Sequence, residues 1–145
     1  MRAVFFRKAP VKKEPAWRKR GRMEEKIRIM IVDDSKTSRK LLRGILERGG
    51  YEVVCEAVDG EDAWGKYREI RPDLVTMDIT MPKMDGVEAL SMIRKEDPTA
   101  RVVMISASGQ REKMTMAIRR GASDFITKPF DEKKVLATVG AVLEE

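Results

Sequence analysis

Three aspartates in this sequence stand at the ends of short apolar runs. Asp33 and Asp34 follow the run at 27–32, and Asp78 follows the run at 74–77. Short apolar runs, each followed by a helical pattern, predict buried strands of a parallel sheet. Carboxylates at the C-terminal ends of such strands gather at one edge of the sheet. Because three like charges repel one another, we expect a hard divalent cation such as Mg²⁺ to bind there through oxygen ligands.

Composition excludes several other kinds of chemistry. The 145 residues include no histidine and one cysteine, which excludes Ser-His-Asp triads, Cys-His pairs and histidine zinc sites. Any bound metal must therefore be held by oxygen. Cys55 lies in a strand-like run at 52–57, where we expect a buried thiol in a reducing cytoplasm. No apolar stretch approaches the roughly 20 residues that span a bilayer, so we expect no membrane insertion.

The net charge of +6 is concentrated at the N-terminus. Residues 1–26 hold ten Lys or Arg against three Glu, a balance of +7, whereas residues 27–145 have a balance of −1. The segment at 1–26 has almost no apolar periodicity, so we expect a disordered basic arm, with Met23 as a candidate for the true start. An arm that binds nucleic acid or a membrane surface is the alternative interpretation, although we do not expect nucleic acid as a partner.

From residue 27 onward, strand and helix patterns alternate five times. This alternation predicts βαβ units, a parallel sheet covered on both faces, and one α/β domain over 27–145. In the first helix we expect Leu41, Leu42 and Ile45 on the buried face, and in the fourth we place Met114, Ala117 and Ile118. The predicted strands are 27–32, 52–57, 73–77, 101–106 and 124–127, and the predicted helices are 36–48, 60–70, 85–96, 110–120 and 131–143.

Four short motifs occur in order at the ends of the predicted strands. They are Asp33-Asp34, Asp78, Ser106-Ala107 and Lys128-Pro129-Phe130. Alone, the Asp33-Asp34 pair is weak evidence for a functional site, since Asp34 or Ser35 could simply cap the following helix. Together they resemble the receiver domain of two-component response regulators, and the free-standing chemotaxis type in particular, over residues 27–145. The resemblance implies a flavodoxin-like (βα)5 fold with a five-stranded parallel sheet in the order 2-1-3-4-5.

The resemblance assigns the chemistry to the acidic cluster. It implies that Asp78 is the phosphoacceptor, a carboxylate nucleophile that becomes an acyl phosphate. It also implies that Asp33, Asp34 and Asp78 bind Mg²⁺ together with the backbone carbonyl of Thr80. For Lys128, a simple ion pair with Asp78 is the alternative to a role in phosphorylation, and both can hold before phosphorylation.

The same resemblance assigns a switch to the remaining motifs. Lys128 would contact a phosphoryl oxygen, with Pro129 holding the loop through a cis bond. Ser106 would be the switch hydroxyl, and the small Ala107 leaves room for a phosphodonor. Phe125 matches an aromatic that turns inward, where many relatives have tyrosine, although an ordinary core aromatic is the alternative.

The implied function is a switch controlled by phosphorylation and not an enzyme with its own substrate. A sensor histidine kinase or acetyl phosphate would phosphorylate Asp78, and the surface at about 110–145 would then select a target, with the flagellar motor as the leading candidate. A phosphatase is a further expected partner. A phosphorelay intermediate is the main alternative. A Mg²⁺-dependent phosphohydrolase with an aspartate nucleophile is more remote, because its acids are spaced Asp-x-Asp whereas these are adjacent.

Overall fold

Strands and helices alternate along the whole part of the chain that the structure describes. The computed structural model describes residues 26–145, so the predicted arm lies almost entirely outside the described residues. Every predicted element is present, with each end within one residue of its expected position. The elements are β1 Arg28–Val32, α1 Lys36–Arg48, β2 Glu52–Ala57, α2 Gly60–Ile70, β3 Leu74–Asp78, α3 Gly86–Glu96, β4 Val102–Ser106, α4 Arg111–Arg119, β5 Asp124–Thr127 and α5 Glu132–Leu143.

The five strands form one parallel sheet in the order β2-β1-β3-β4-β5. The expected fold class and strand order are therefore confirmed. Two buried clusters cover the two faces of the sheet: α1 and α5 cover one face, and α2, α3 and α4 cover the other. In β1, for example, Ile29 and Ile31 pack on the first face, while Met30 and Val32 pack on the second. Continuous apolar runs are required because both faces are buried.

Two predicted core residues are instead exposed. Leu41 is 58% exposed, because the buried stripe of α1 consists of Leu42, Ile45 and Leu46, and Leu41 lies about 100° away from Leu42 around the helix. Ile118 is 60% exposed, since α4 buries Ala117 and little else against the sheet. Cys55 is half-buried and not fully buried. Within residues 26–145, no helix is long and apolar enough to cross a membrane.

Gly86 allows α3 to approach the strand end that carries Asp78. Its N–H donates to the carbonyl of Ile79 at 2.8 Å. A Cβ atom added at Gly86 would overlap the carbonyl oxygen of Asp78. Because the obstacle is backbone and not a flexible side chain, the position of α3 against β3 depends on the missing side chain.

We expect Gly86→Ala to lower the free energy of unfolding by about 2–3 kcal/mol, because α3 or the end of β3 must move. Gly65→Ala is the matched control. Gly65 lies inside α2 with no atom within 4 Å of an added Cβ, so we expect that variant to gain about 0.5–1 kcal/mol. Chemical denaturation measures both changes. Equal stability of the two variants would show that α3 does not need its close approach to β3.

Candidate functional site

The acidic cluster forms where β1 and β3 end side by side. The two strands are neighbours with Val32 paired to Met77, so Asp33 and Asp78 follow at the same level. One carboxylate oxygen each from Asp33, Asp34 and Asp78 lies within 4.8 Å of the others. Asp33 and Asp78 are buried at 3% and 8% exposure, whereas Asp34 is exposed. The structure thus brings the three predicted carboxylates together.

Lys128 reaches the two buried carboxylates from the end of β5. Its Nζ lies 3.0 Å from Oδ2 of Asp33 and 3.3 Å from Oδ2 of Asp78. The backbone N–H of Lys128 donates to the carbonyl of Ser106 at 2.9 Å, and the bond to Pro129 is cis. Burial alone would lower the pKa of Lys128, but its hydrogen bonds and the two negative charges outweigh burial and raise this pKa. Lys128 therefore stays charged.

One ammonium does not fully compensate the cluster. Burial, followed by the negative charge of Asp33, raises the pKa of Asp78 to about 6, although Lys128 acts in the opposite direction. The donor set consists of carboxylate oxygens, two of them buried and one open to solvent. Oxygen donors with an excess of negative charge fit a hard divalent cation such as Mg²⁺.

Asp33 also has a structural task at the start of α1. Its Oδ1 accepts the N–H of Ser35 at 2.8 Å. The cap of α1 is Ser35, whose hydroxyl accepts the N–H of Ser38 at 3.2 Å. The guanidinium of Arg39 donates to the carbonyl of Asp33 at 2.8 Å. These bonds hold one Asp33 oxygen in the turn and leave the other facing Lys128.

Ser106 presents a buried hydroxyl at the end of β4. The residue is 1% exposed, and among the described residues its Oγ has no hydrogen-bond partner. Ser106 pairs with Thr127, the residue immediately before Lys128. A buried hydroxyl without a partner is costly and calls for an explanation.

The other predicted residues surround this edge. Phe125 is half-buried and packs against the core between the sheet and α2, α3 and α4. Ala107 and Pro129 are exposed, and Thr80 is exposed two residues after Asp78. Their placement agrees with the expected site, while their individual roles stay predictions.

Sequence reasoning missed Gln110. Its side chain connects the loop after β4 to the loop after β3, through the N–H of Ala107 and the hydroxyl of Thr80. The available signal was weak. Gln110 stands at the start of α4, where Ser, Thr, Asp or Asn would usually cap the helix, and it makes no side-chain cap bond there.

Three similarities to known proteins agree with this geometry. The family model described as the response regulator receiver domain matches residues 29–140. The chemotaxis protein CheY of Bacillus subtilis is 50% identical over 116 residues, covering 80% of this chain and 97% of that protein. The chemotaxis protein CheY of Thermotoga maritima is 46% identical over 115 residues, covering 79% of this chain and 96% of that protein.

A solved structure is similar over the same part of the chain. One chain of the crystal structure of the CheX-CheY-BeF3-Mg complex from Borrelia burgdorferi superposes with a TM-score of 0.77 and 44% identity. The superposition covers 80% of this chain and 88% of that chain.

The acidic cluster predicts an unusual pH dependence of stability without divalent metal. The pKa of Asp78 is about 6 in the folded protein against 3.8 for a free carboxyl. Between these values the folded state binds more protons than the unfolded state, so the free energy of unfolding should fall by about 2–3 kcal/mol as pH rises from about 4 to about 6. Asp78→Asn should remove that fall and be more stable than wild type at pH 7.

Chemical denaturation across pH in the presence of a chelator measures this effect. Asp34→Asn is the control, since it removes a charge that is already exposed. Asp33 is a poorer probe, because its replacement also removes the bond to Ser35. If Asp78→Asn is less stable than wild type at pH 7, Lys128 already compensates the buried charges.

Proposed function

Because this chain belongs to the response regulator receiver domain family, we propose that it is a signalling switch controlled by phosphorylation of Asp78. One observation carries the proposal: the Asp78 carboxylate is buried at a strand end, where the ammonium of Lys128 contacts both this carboxylate and that of Asp33. A perturbed carboxyl beside a specific charge partner is typical of functional sites. Similarity to chemotaxis proteins over 79–80% of the chain favours chemotaxis as the pathway.

Asp78 has the properties that a phosphoacceptor needs. With a pKa of about 6, it remains mostly ionised at pH 7 and can act as a nucleophile. A carboxylate oxygen attacks phosphorus, and the bond from phosphorus to the donor's leaving atom breaks with its electron pair going to that atom. The donor is a kinase phosphohistidine or a small acyl phosphate. In a separate reaction, water attacks phosphorus, the bond from phosphorus to the Asp78 oxygen breaks with its electron pair returning to the carboxylate, and inorganic phosphate and a proton leave.

Asp33, Asp34 and Asp78, with the backbone carbonyl of Thr80, would hold Mg²⁺. The ion supplies positive charge that offsets the phosphoryl oxygens and the carboxylates. The acidic donor set supports this assignment. So does the presence of Mg and BeF3 with the Borrelia burgdorferi CheY. Asp33 is held ready for this task by its bond to Ser35.

Lys128 and Ser106 would respond to the new phosphoryl group. Lys128 already contacts Asp78, and a phosphoryl oxygen offers its ammonium a stronger acceptor. The hydroxyl of Ser106 has no partner among residues 26–145, so a phosphoryl oxygen would give it one. If Ser106 moves toward the site, Phe125 can turn into the space beside it. Ala107, in the loop after β4, and Pro129, in the loop after β5, would flank these moving groups.

The output surface would be α4, β5 and α5. Phe125, Pro129 and Ala137 line a groove of about 270 Å³ between β5 and α5. Met116 and Ile118 expose apolar surface on α4. We propose that phosphorylation changes this surface at about 110–145 and thereby selects a downstream protein, in the first place a flagellar motor component. A phosphatase is a further proposed partner, and the complex of CheX with the Borrelia burgdorferi CheY shows that a related chain binds a second protein.

We propose that residues 27–145 form the receiver. Residues 1–26 carry a net charge of +7. The chain transfers phosphoryl groups to and from itself and turns over no separate substrate. Exchange with a histidine kinase would require a cytoplasmic location.

The phosphoacceptor assignment can be tested by labelling. Asp78→Asn keeps the shape of the side chain but removes the nucleophilic charge, so labelling by acetyl phosphate with Mg²⁺ should vanish. Asp33→Asn and Asp34→Asn should label more slowly and need more Mg²⁺. Intact-protein mass spectrometry follows the added phosphoryl group. Labelling of Asp78→Asn at the wild-type site and rate would refute the mechanism.

A second test separates chemistry from switching. Lys128→Ala and Ser106→Ala should still accept the phosphoryl group, because Asp78 and the metal ligands remain. Both should weaken the response of the 110–145 surface, since contacts that distinguish the two states are lost. NMR shifts on adding beryllofluoride with Mg²⁺ report this response. Wild-type shifts at Phe125 in both variants would remove the switch roles of Lys128 and Ser106.

A further inference from the structure

The side chain of Gln110 bridges two loops at the acidic edge. Its Oε1 accepts the backbone N–H of Ala107 at 2.7 Å. Its Nε2 donates to the hydroxyl of Thr80. Thr80 belongs to the loop after β3, and Ala107 belongs to the loop after β4. Both polar atoms of the Gln110 side chain therefore bond to the two loops, and neither caps the first turn of α4.

The strand register places this bridge beside Asp78. Asp78 pairs with Ile105 across β3 and β4. Thr80 lies two residues beyond Asp78, and Ala107 lies two residues beyond Ile105. Ser106, whose buried hydroxyl lacks a partner among the described residues, stands immediately before Ala107. The bridge thus holds the backbone segment that carries the proposed switch hydroxyl.

We propose that Gln110 is a positioning residue that sets how readily Asp78 is phosphorylated. Its bridge holds the segment 106–107 in the unphosphorylated arrangement and occupies the N–H of Ala107. This inference rests on the proposed phosphorylation of Asp78. A phosphoryl group there would offer the Ala107 N–H a charged oxygen, which is a stronger acceptor than the neutral amide of Gln110. Phosphorylation therefore displaces the bridge. Before phosphorylation, the bridge opposes the movement of segment 106–107 that phosphorylation requires.

Gln110→Met tests whether the bridge opposes phosphorylation, because it removes both hydrogen bonds while it keeps the side-chain length nearly constant. We expect labelling of Asp78 by acetyl phosphate to become about tenfold faster, the factor that the loss of one or two ordinary hydrogen bonds gives. Loss of the phosphoryl group should keep its wild-type rate, because the bridge is already broken in that state. Beryllofluoride with Mg²⁺ should bind about tenfold more tightly.

Two further variants control the experiment. Thr115→Ala removes a neutral polar side chain from the same helix, where its hydroxyl donates to the carbonyl of Arg111, and should leave all three quantities unchanged. Thr80→Val removes one anchor of the bridge and should give a smaller increase in labelling, about threefold. An increase in labelling with both bridge variants therefore does not depend on one substitution folding well.

Hydrogen exchange of the Ala107 amide tests the bridge without phosphorylation. The amide should exchange about tenfold faster in Gln110→Met than in wild type, whereas Gln110→Glu, which keeps an acceptor oxygen, should preserve protection. This readout is measured on unmodified protein. If the bridge does not form, the exchange rates will be equal. If Asp78 is not the acceptor, neither protein will be labelled, but the exchange rates can still differ.

Three outcomes would overturn the proposal. Unchanged labelling and unchanged beryllofluoride affinity in Gln110→Met would show that the bridge does not oppose phosphorylation. Slower loss of the phosphoryl group with unchanged labelling would show that Gln110 acts on the attacking water. Equal exchange of the Ala107 amide in Gln110→Met and wild type would show that the bridge is absent in solution.

Discussion

The burial of two carboxylates at neighbouring strand ends is the constraint on which the rest of this structure depends. Removing an ionised carboxylate from water costs several kcal/mol unless a partner compensates it. Asp33 and Asp78 share one compensating group, the ammonium of Lys128. Lys128 comes from the end of β5, which is separated from β3 by β4. The long, flexible side chain of Lys128 spans this distance and contacts both carboxylates.

The turns that follow these strands serve the same constraint. In a parallel sheet each helix starts just after a strand ends, so the N-termini of the helices, with their positive partial charge, lie at the acidic edge. Ser35 caps α1, and the carboxylate of Asp33 accepts the N–H of Ser35. The turn that starts the helix therefore also holds the Asp33 carboxylate in place. Gly86 lets α3 begin against the backbone of Asp78. The local rules for helix starts thus also position the charged groups.

The sequence predicted the elements and the acidic cluster well because both depend on local patterns. Apolar runs followed by aspartate specify strand ends, and the parallel sheet then brings Asp33 and Asp78 together. Exposure of Leu41 and Ile118 was not predictable in the same way, since it depends on how narrow a stripe each helix buries. Gln110 was missed because its partners lie on two different loops, a relation that appears only after β3 and β4 are paired.

The energies of individual contacts limit how the proposed switch can work. Moving a two-state equilibrium from 1:99 to 99:1 needs about 5.5 kcal/mol of difference between the states. Giving the buried hydroxyl of Ser106 a partner is worth about 1–3 kcal/mol, which alone raises a 1% state to between about 5% and 60%. A nearly complete switch therefore requires several contacts that exist in one state only. Lys128 and the amide of Ala107 lie within the same strand-end region and are groups able to supply the difference, whereas the bridge of Gln110 favours the unphosphorylated state.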